Sequence, residues 1–249
     1  MESFDLIVIG SGPAGQRAAI QGAKCGKRVA IVERRAVVGG TCINTGTIPS
    51  KTMREAVLHL SGFQYQQLYG VNYRVKEKIT MADLAFRVQH VIKTEIDVTQ
   101  SQLSRNGIEI LSGTASFTDP HQIRVSNCHG QYSEYGAQTI IVASGTRPAT
   151  SPKVPFNGRN IINSDQIMDH PRFQTLIVVG GGVIGVEYTC MFAALGVRVI
   201  LIEKRPRGSL SLRMQRWWKH SPMLTRPPGD VAPQWGKSRV WKRRPKEAW

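Results

Sequence analysis

Two glycine runs carry the most specific chemistry in the chain. Gly10-Ser11-Gly12-Pro13-Ala14-Gly15 and Gly180-Gly181-Gly182-Val183-Ile184-Gly185 both read GxGxxG. Each follows a short apolar run and precedes a run of small or apolar residues, so each reads as the turn between a parallel strand and a helix. In such a turn the first glycine permits the tight bend. The second lets a pyrophosphate approach the backbone, and the third lets helix pack close to strand. The N–H groups at the helix start then face the phosphate charge. Glu33 and Glu203 close the following strands, each 18 residues after the last glycine of its run. That is near the spacing for an acid accepting a hydrogen bond from a ribose hydroxyl. The chemistry indicated is dinucleotide binding, twice over. Glu203 suits NAD(H) and repels a 2′-phosphate. Lys204 and Arg205 follow directly and would soften that repulsion, so NADP(H) stays open.

A third stretch holds one cysteine: Gly39-Gly40-Thr41-Cys42-Ile43-Asn44-Thr45-Gly46-Thr47-Ile48-Pro49-Ser50-Lys51. It closely resembles the redox loop of the two-dinucleotide flavoprotein disulfide reductases, the FAD-dependent pyridine nucleotide-disulfide oxidoreductases. In that family a second cysteine stands five positions after the first. Here that position is Thr47, and a hydroxyl cannot relay two electrons as a thiol does. The soluble, Si-specific NAD(P) transhydrogenase branch is similar to this sequence in having threonine there, within G-T-I-P-S-K. The resemblance covers residues 4 to 205. It implies FAD on the first glycine unit and a nicotinamide nucleotide, NAD(H) or NADP(H), on the second. It implies hydride transfer from NADPH to NAD by way of the flavin, with no protein thiol needed. Dihydrolipoamide dehydrogenase-like disulfide reduction is the alternative that Thr47 disfavours. An inactive nucleotide-binding fragment is a further reading.

The resemblance also assigns residues one by one. Gly10, Ser11, Gly12, Pro13, Ala14 and Gly15 match the FAD pyrophosphate turn, with Glu33 and the adjoining Arg34 at the adenosine ribose. Gly39, Gly40, Thr41 and Cys42 match the loop beside the flavin. Gly113 and Ala115 match a segment whose backbone meets the adenine, and Ala143, Ser144 and Gly145 a strand end against the cofactor. Gly180, Gly182, Val183, Ile184, Gly185 and Glu203 match the nicotinamide nucleotide site. The implied catalytic set is Cys42, Lys51 and Glu187. Lys51 matches a lysine near flavin N5, where a cation stabilises negative charge on reduced flavin, and Glu187 matches its carboxylate partner.

These residues must be held by alternating strands and helices. Strands are expected at Asp5–Ile9, 28–33, 139–143, Thr175–Val179 and Val197–Glu203. Helices are expected at Arg17–Cys25, Ser50–Ser61, 81–105 and Val186–Leu195, with strands and turns between 107 and 142. The stretch VVGGTCINTGTIPSK, residues 37–51, reads as a loop running into the helix at Ser50. The fold class is α/β, a Rossmann-like FAD domain over 1–150 and part of an NAD(P)-binding domain over 151–205.

The 249 residues carry a net charge of +16, but unevenly. Residues 204–249 hold 13 Lys and Arg against two acids, a net of +11, together with all five tryptophans and six of 13 prolines. Residues 206–249 show no sustained periodicity and read as a disordered, out-of-frame basic tail. A basic arm, or nucleic-acid binding through cations and stacked tryptophans, is the less favoured reading of the same residues. Relatives in the family are nearly twice as long and homo-oligomeric. Their dimerisation domain has no counterpart in this sequence, so little activity is expected of the chain as it stands. No apolar run reaches a membrane-spanning length, and the N-terminus has no basic leader region. Cys25, Cys42, Cys128 and Cys190 show no paired short spacing, which disfavours a zinc site or disulfide framework and points to the cytoplasm. The six scattered histidines and the absence of GxSxG and HExxH remove metal and hydrolase readings.

Overall fold

The computed structural model describes residues 2–62, 65–70, 75–76, 79–170, 173–203 and the pair 234–235. The chain divides into two compact units: residues 1–53 with 85–148, and residues 54–84 with 149–249. Its helices in chain order are α1 (Pro13–Lys24), α2 (Gly40–Asn44), α3 (Thr47–Leu60), α4 (Gln66–Tyr69), α5 (Met81–Arg105) and α6 (Val183–Ala194). Its strands are β1 (Glu2–Ile9), β2 (Val29–Glu33), β3 (Glu109–Ser112), β4 (Thr114–Asp119), β5 (Gln122–Ser126), β6 (Tyr132–Val142), β7 (Thr175–Val179), β8 (Arg198–Glu203) and β9 (Gln234–Trp235).

The first unit is built on a six-stranded sheet in the order β3-β2-β1-β6-β5-β4. β3, β2, β1 and β6 run parallel, while β5 and β4 continue the sheet antiparallel from β6. Buried on both faces, β2 and the second half of β1 (residues 6–9) are apolar almost throughout, as a central parallel strand requires. Ile7 and Ile9 lie in one cluster with Ala30, Val32, Leu111 and Ile123. Leu6 and Val8 alternate to the other face, where Ala19 of α1 and Leu103 of α5 cover Val29 and Ile31. β1 and β2 therefore end, held by both layers, at the residues that matter: Gly10 after β1 and Glu33 at the end of β2.

The second unit repeats the strand–turn–helix–strand plan. β7 and β8 pair in parallel with Val178 opposite Leu201, and α6 places Val186 and Cys190 against them. A 3-10 turn at Ser164–Asp169 precedes them, closed by a capping box between Asn163 and Gln166. Phe173 meets Phe192 edge-on at 4.9 Å. The short strand β9 pairs with the end of β8, Ile202 opposite Gln234. The rest of the tail read as disordered lies outside the described residues.

The expected strands and α5 are present, with β1 and β6 beginning earlier than expected, at Glu2 and Tyr132, and the helix deviations have two causes. α1 and α6 begin at Pro13 and Val183, ahead of the expected Arg17 and Val186. The third glycine of each run sits inside the helix's first turn, where a helix-breaking residue disguises the start. The cysteine stretch read as a loop instead forms α2 and the start of α3. Gly39, at φ 106°, is the left-handed cap that lets α2 begin.

Two buried groups in α6 make the second unit sensitive to alkali. Burial, aided by the nearby Glu187 charge, pushes the Cys190 thiol from 9.0 up to about 11, with Arg54 opposing. Burial and the charges of Glu187 and Asp165 likewise push Tyr188 from 10.0 to about 12. Both folded pKa values lie above the unfolded ones. Their stabilising contribution is therefore intact below pH 9.0 and lost as the pH climbs through about 11 and about 12. Tyrosinate absorbance of Tyr188 should rise together with loss of α6 helicity in that window. Tyrosinate appearing with the helix intact would contradict this account.

Candidate functional site

The two glycine turns are copies in backbone geometry. Gly10 and Gly180 take φ of 109° and 111°, conformations that a side chain strains. Their N–H groups donate to Val32 O and Ile202 O, both at 2.8 Å. Gly12 and Gly182 cap α1 and α6 with φ, ψ of −67°, 176° and −74°, 178°, and neither cap is filled by a side chain. No acid stands in the first turn of either helix. The first N–H groups of both helices are thus left to an anion or solvent. Pro13, Ala14, Val183 and Ile184 are exposed around them.

The three glycines of each run answer to different neighbours. A Cβ on Gly15 would lie 1.8 Å from Gly10 O, and one on Gly185 would lie 2.1 Å from Gly180 O. Those glycines are required by the fold itself. A Cβ on Gly12 or Gly182 would meet nothing within 4 Å. The protein's own packing gives no reason for glycine there, but a pyrophosphate laid across the turn does. The residues present therefore fit a dinucleotide phosphate at both turns.

Around the first turn the structure gathers most of the expected residues. Glu33 Oε2 accepts from Ser11 N at 3.1 Å and from Ser11 Oγ at 2.5 Å, and Glu33 Oε1 accepts from Arg35 N at 2.9 Å. Gly39 N donates to both Ser11 O and Ser11 Oγ at 3.1 Å, which ties the start of α2 to the turn. Gly40 stacks so closely that a Cβ on it would come within 2.8 Å of Gly12 Cα. Ala143 N donates to Ile9 O at 2.8 Å, and a Cβ on Gly10 would lie 2.3 Å from Ala143 O. Gly113 N donates to Glu33 O at 2.8 Å, which sets Gly113 beside the acid, with Ala115 two residues on in β4. Ser144 and Gly145 follow Ala143, exposed, and Arg34 is exposed beside Glu33.

Cys42 lies half-buried within α2, in a free thiol state. Asn44 braces that helix, its Nδ2 donating to Val38 O at 3.0 Å and Gly40 O at 2.8 Å. Thr45 Oγ1, just after the helix, is buried and has no partner among the described residues. An unpartnered buried hydroxyl beside the cysteine helix is a polar atom ready for a ligand, which again fits a bound cofactor. Lys51 is exposed on α3 in the first unit, and Glu187 is half-buried on α6 in the second. In the second turn Gly181 N donates to Glu203 Oε2 at 2.7 Å, the counterpart of the Ser11–Glu33 contact.

Some members of the first site escape the sequence reading. Gln16 Nε2 donates to Ser11 O at 2.8 Å, and Thr41 Oγ1 donates to Thr146 O at 3.3 Å. Gln16 and Thr146 are the additions: Gln16 anchors a loop carbonyl and Thr146 offers its own to Thr41, already assigned to the cysteine loop, and no motif marks either. Among the described residues no cluster of His, Cys, Asp or Glu forms a metal site, and no helix is long and apolar enough to cross a membrane.

The comparisons with known proteins agree with this geometry. The family model described as pyridine nucleotide-disulphide oxidoreductase matches residues 4–217. A soluble pyridine nucleotide transhydrogenase of Mycobacterium bovis is 51% identical over 207 residues, covering 82% of this chain and 44% of the relative. One from Photorhabdus laumondii is 43% identical over 205 residues, covering 81% and 43%. The chain thus spans less than half the length of the curated relatives it matches. Among solved structures, the flavoprotein disulfide reductase RclA of Escherichia coli, as a Cu(II) complex, superposes with a TM-score of 0.69 at 28% identity, covering 82% of this chain and 43% of that one. LpdA of Mycobacterium tuberculosis matches in fold with a TM-score of 0.74 at 23% identity, covering 89% and 50%. Matched by the family model over most of its length, the chain belongs to the pyridine nucleotide-disulphide oxidoreductase family.

Proposed function

We propose that the chain carries the flavin-binding domain (1–150) and the opening part of the nicotinamide nucleotide-binding domain (151–205) of a flavin-dependent NAD(P) transhydrogenase. The observation that carries this reading is the pair of open glycines, Gly12 and Gly182, on two uncapped helix starts, combined with a single cysteine where a dithiol enzyme needs two. Gly10–Gly15 and the N-terminus of α1 hold the FAD pyrophosphate, and Glu33 takes a ribose hydroxyl. Gly113, Ala115 and Ala143–Gly145 frame the same nucleotide. Gly180–Gly185 and Glu203 hold NAD(H) or NADP(H), with nicotinamide nucleotides as the small-molecule partners. Bound FAD supplies the centre that accepts and returns a hydride. Lys51 contributes positive charge near that centre, Glu187 stands where the family has the carboxylate matched to such a lysine, and α2 brings Cys42 alongside as a contact rather than a redox relay. Thr47 starts α3 with a hydroxyl, so no disulfide with Cys42 can form there. The four free thiols suit a reducing cytoplasm.

The test is a single-turnover titration of the FAD-reconstituted chain without oxygen. NADPH should bleach the bound flavin and NAD should restore its colour, as slow single events rather than steady turnover, in keeping with the little activity expected of the chain as it stands. Cys42→Ser should change the rates less than about 3-fold, because no step uses the thiol. Lys51→Ala should slow reduction by about 10-fold or more, the loss expected for one electrostatic donor. Reoxidation by lipoamide that disappears in Cys42→Ser would replace this reading with disulfide reduction.

A further inference from the structure

The first turn differs from the second at one position with consequences for the ligand. A carboxylate offers about four acceptor positions. Glu33 is buried, and the protein already fills both positions on Oε2, with Ser11 N and Ser11 Oγ, and one on Oε1, with Arg35 N. The Ser11 hydroxyl is held from both sides: its proton goes to Glu33, and its oxygen accepts from Gly39 N. Ser11 is itself wholly buried, so neither bond exchanges readily with water. In the second turn the equivalent residue is Gly181, where a Cβ would approach Glu203 Oε2 to 2.9 Å. The acid there closes up to the backbone in the space that a serine side chain occupies in the first turn.

We propose that Ser11 is a specificity-determining residue of the first turn. By saturating Glu33 Oε2 it leaves the acid one acceptor position, on Oε1, so that the site reads one hydroxyl of an adenosine ribose and not both. The proposal rests on the reading of the first turn as an FAD site. A ribose cis-diol presents two donors. Only one can be accepted without displacing a buried protein donor from Glu33, and the other must turn to solvent or to another group.

Flavin fluorescence quenching with FAD, and with FAD carrying 2′-deoxyadenosine or 3′-deoxyadenosine, decides this. On the unaltered chain, removing one hydroxyl should weaken binding about 10-fold or more, the scale of a hydrogen bond to a charged group. Removing the other should change it less than about 2-fold, since no acceptor on the acid serves it. Ser11→Ala opens a position on Oε2, so the formerly silent hydroxyl should then matter by about 3-fold or more. Equal losses for the two deoxy compounds on the unaltered chain overturn the proposal while leaving the FAD reading intact, and need no variant to fold. An unchanged profile in a folded Ser11→Ala chain overturns it as well. Failure of FAD itself to bind overturns the FAD reading and takes this proposal with it.

Discussion

Gly15→Ala is expected to unfold most of the first unit's glycine turn and to abolish FAD retention. The added Cβ would stand 1.8 Å from Gly10 O, 3.0 Å from Gly10 C and 3.3 Å from Val8 Cγ1. No flexible side chain is available to give way. Gly10 is pinned through its N–H to Val32 O at 2.8 Å and backed by Ala143 O. Either β1 or α1 must shift, and both are packed into one cluster through Val8 and Ala19. Overpacking typically costs about 1–3 kcal/mol, and a clash against fixed backbone belongs at or above the top of that range. For a marginally stable domain that is a large share of the total. Thermal unfolding should fall by about 10 °C or more. An alanine variant that melts within about 2 °C of the parent would show that the turn is not as close-packed as described.

Glu33→Ala should follow closely in magnitude. The carboxylate serves three donors, Ser11 N, Ser11 Oγ and Arg35 N, and Glu33 is buried at 7% exposure. Truncation leaves all three donors without an acceptor at once. Each buried donor left without a partner costs about 1–3 kcal/mol, partly recovered where Arg35 N reaches water. A net loss of about 4 kcal/mol is expected by denaturant unfolding, with faster amide exchange at Ser11 and Arg35. A loss below about 1 kcal/mol would show that the carboxylate is not the shared acceptor of these three donors.

Much of this site is legible in sequence because its parts are local. GxGxxG followed by an acid 18 residues on specifies strand, turn, helix and strand in one stretch, and both copies fold as that pattern dictates. α5 is equally legible, since one apolar stripe runs along 25 residues. What the sequence obscures is whatever depends on a neighbour distant in the chain. Gly15 looks like a helix breaker until Gly10 O is seen beneath it. The cysteine stretch looks like a loop because its helix-forming tendency is weak. α2 persists because Gly39 takes a left-handed cap and Asn44 ties back to Val38 and Gly40. Gln16 and Thr146 join the site through backbone carbonyls, which no residue pattern records.

The separation of structural from ligand-facing glycines is the centre of the account, and Gly12→Ala measures it. Gly12 has φ −67°, a value any residue adopts, and a Cβ there would meet nothing within 4 Å of protein. The ligand-free variant should therefore unfold within about 0.5 kcal/mol of the parent, as a neutral surface change does. Its FAD affinity should nonetheless drop about 100-fold or more, because the methyl group occupies the path of the pyrophosphate and forces it off the α1 amides. Parallel thermal unfolding and FAD titration of the two proteins give both numbers. Unchanged stability with lost FAD binding is the expected result, whereas FAD bound as tightly by Gly12→Ala as by the parent would contradict the phosphate cradle on which the functional reading stands.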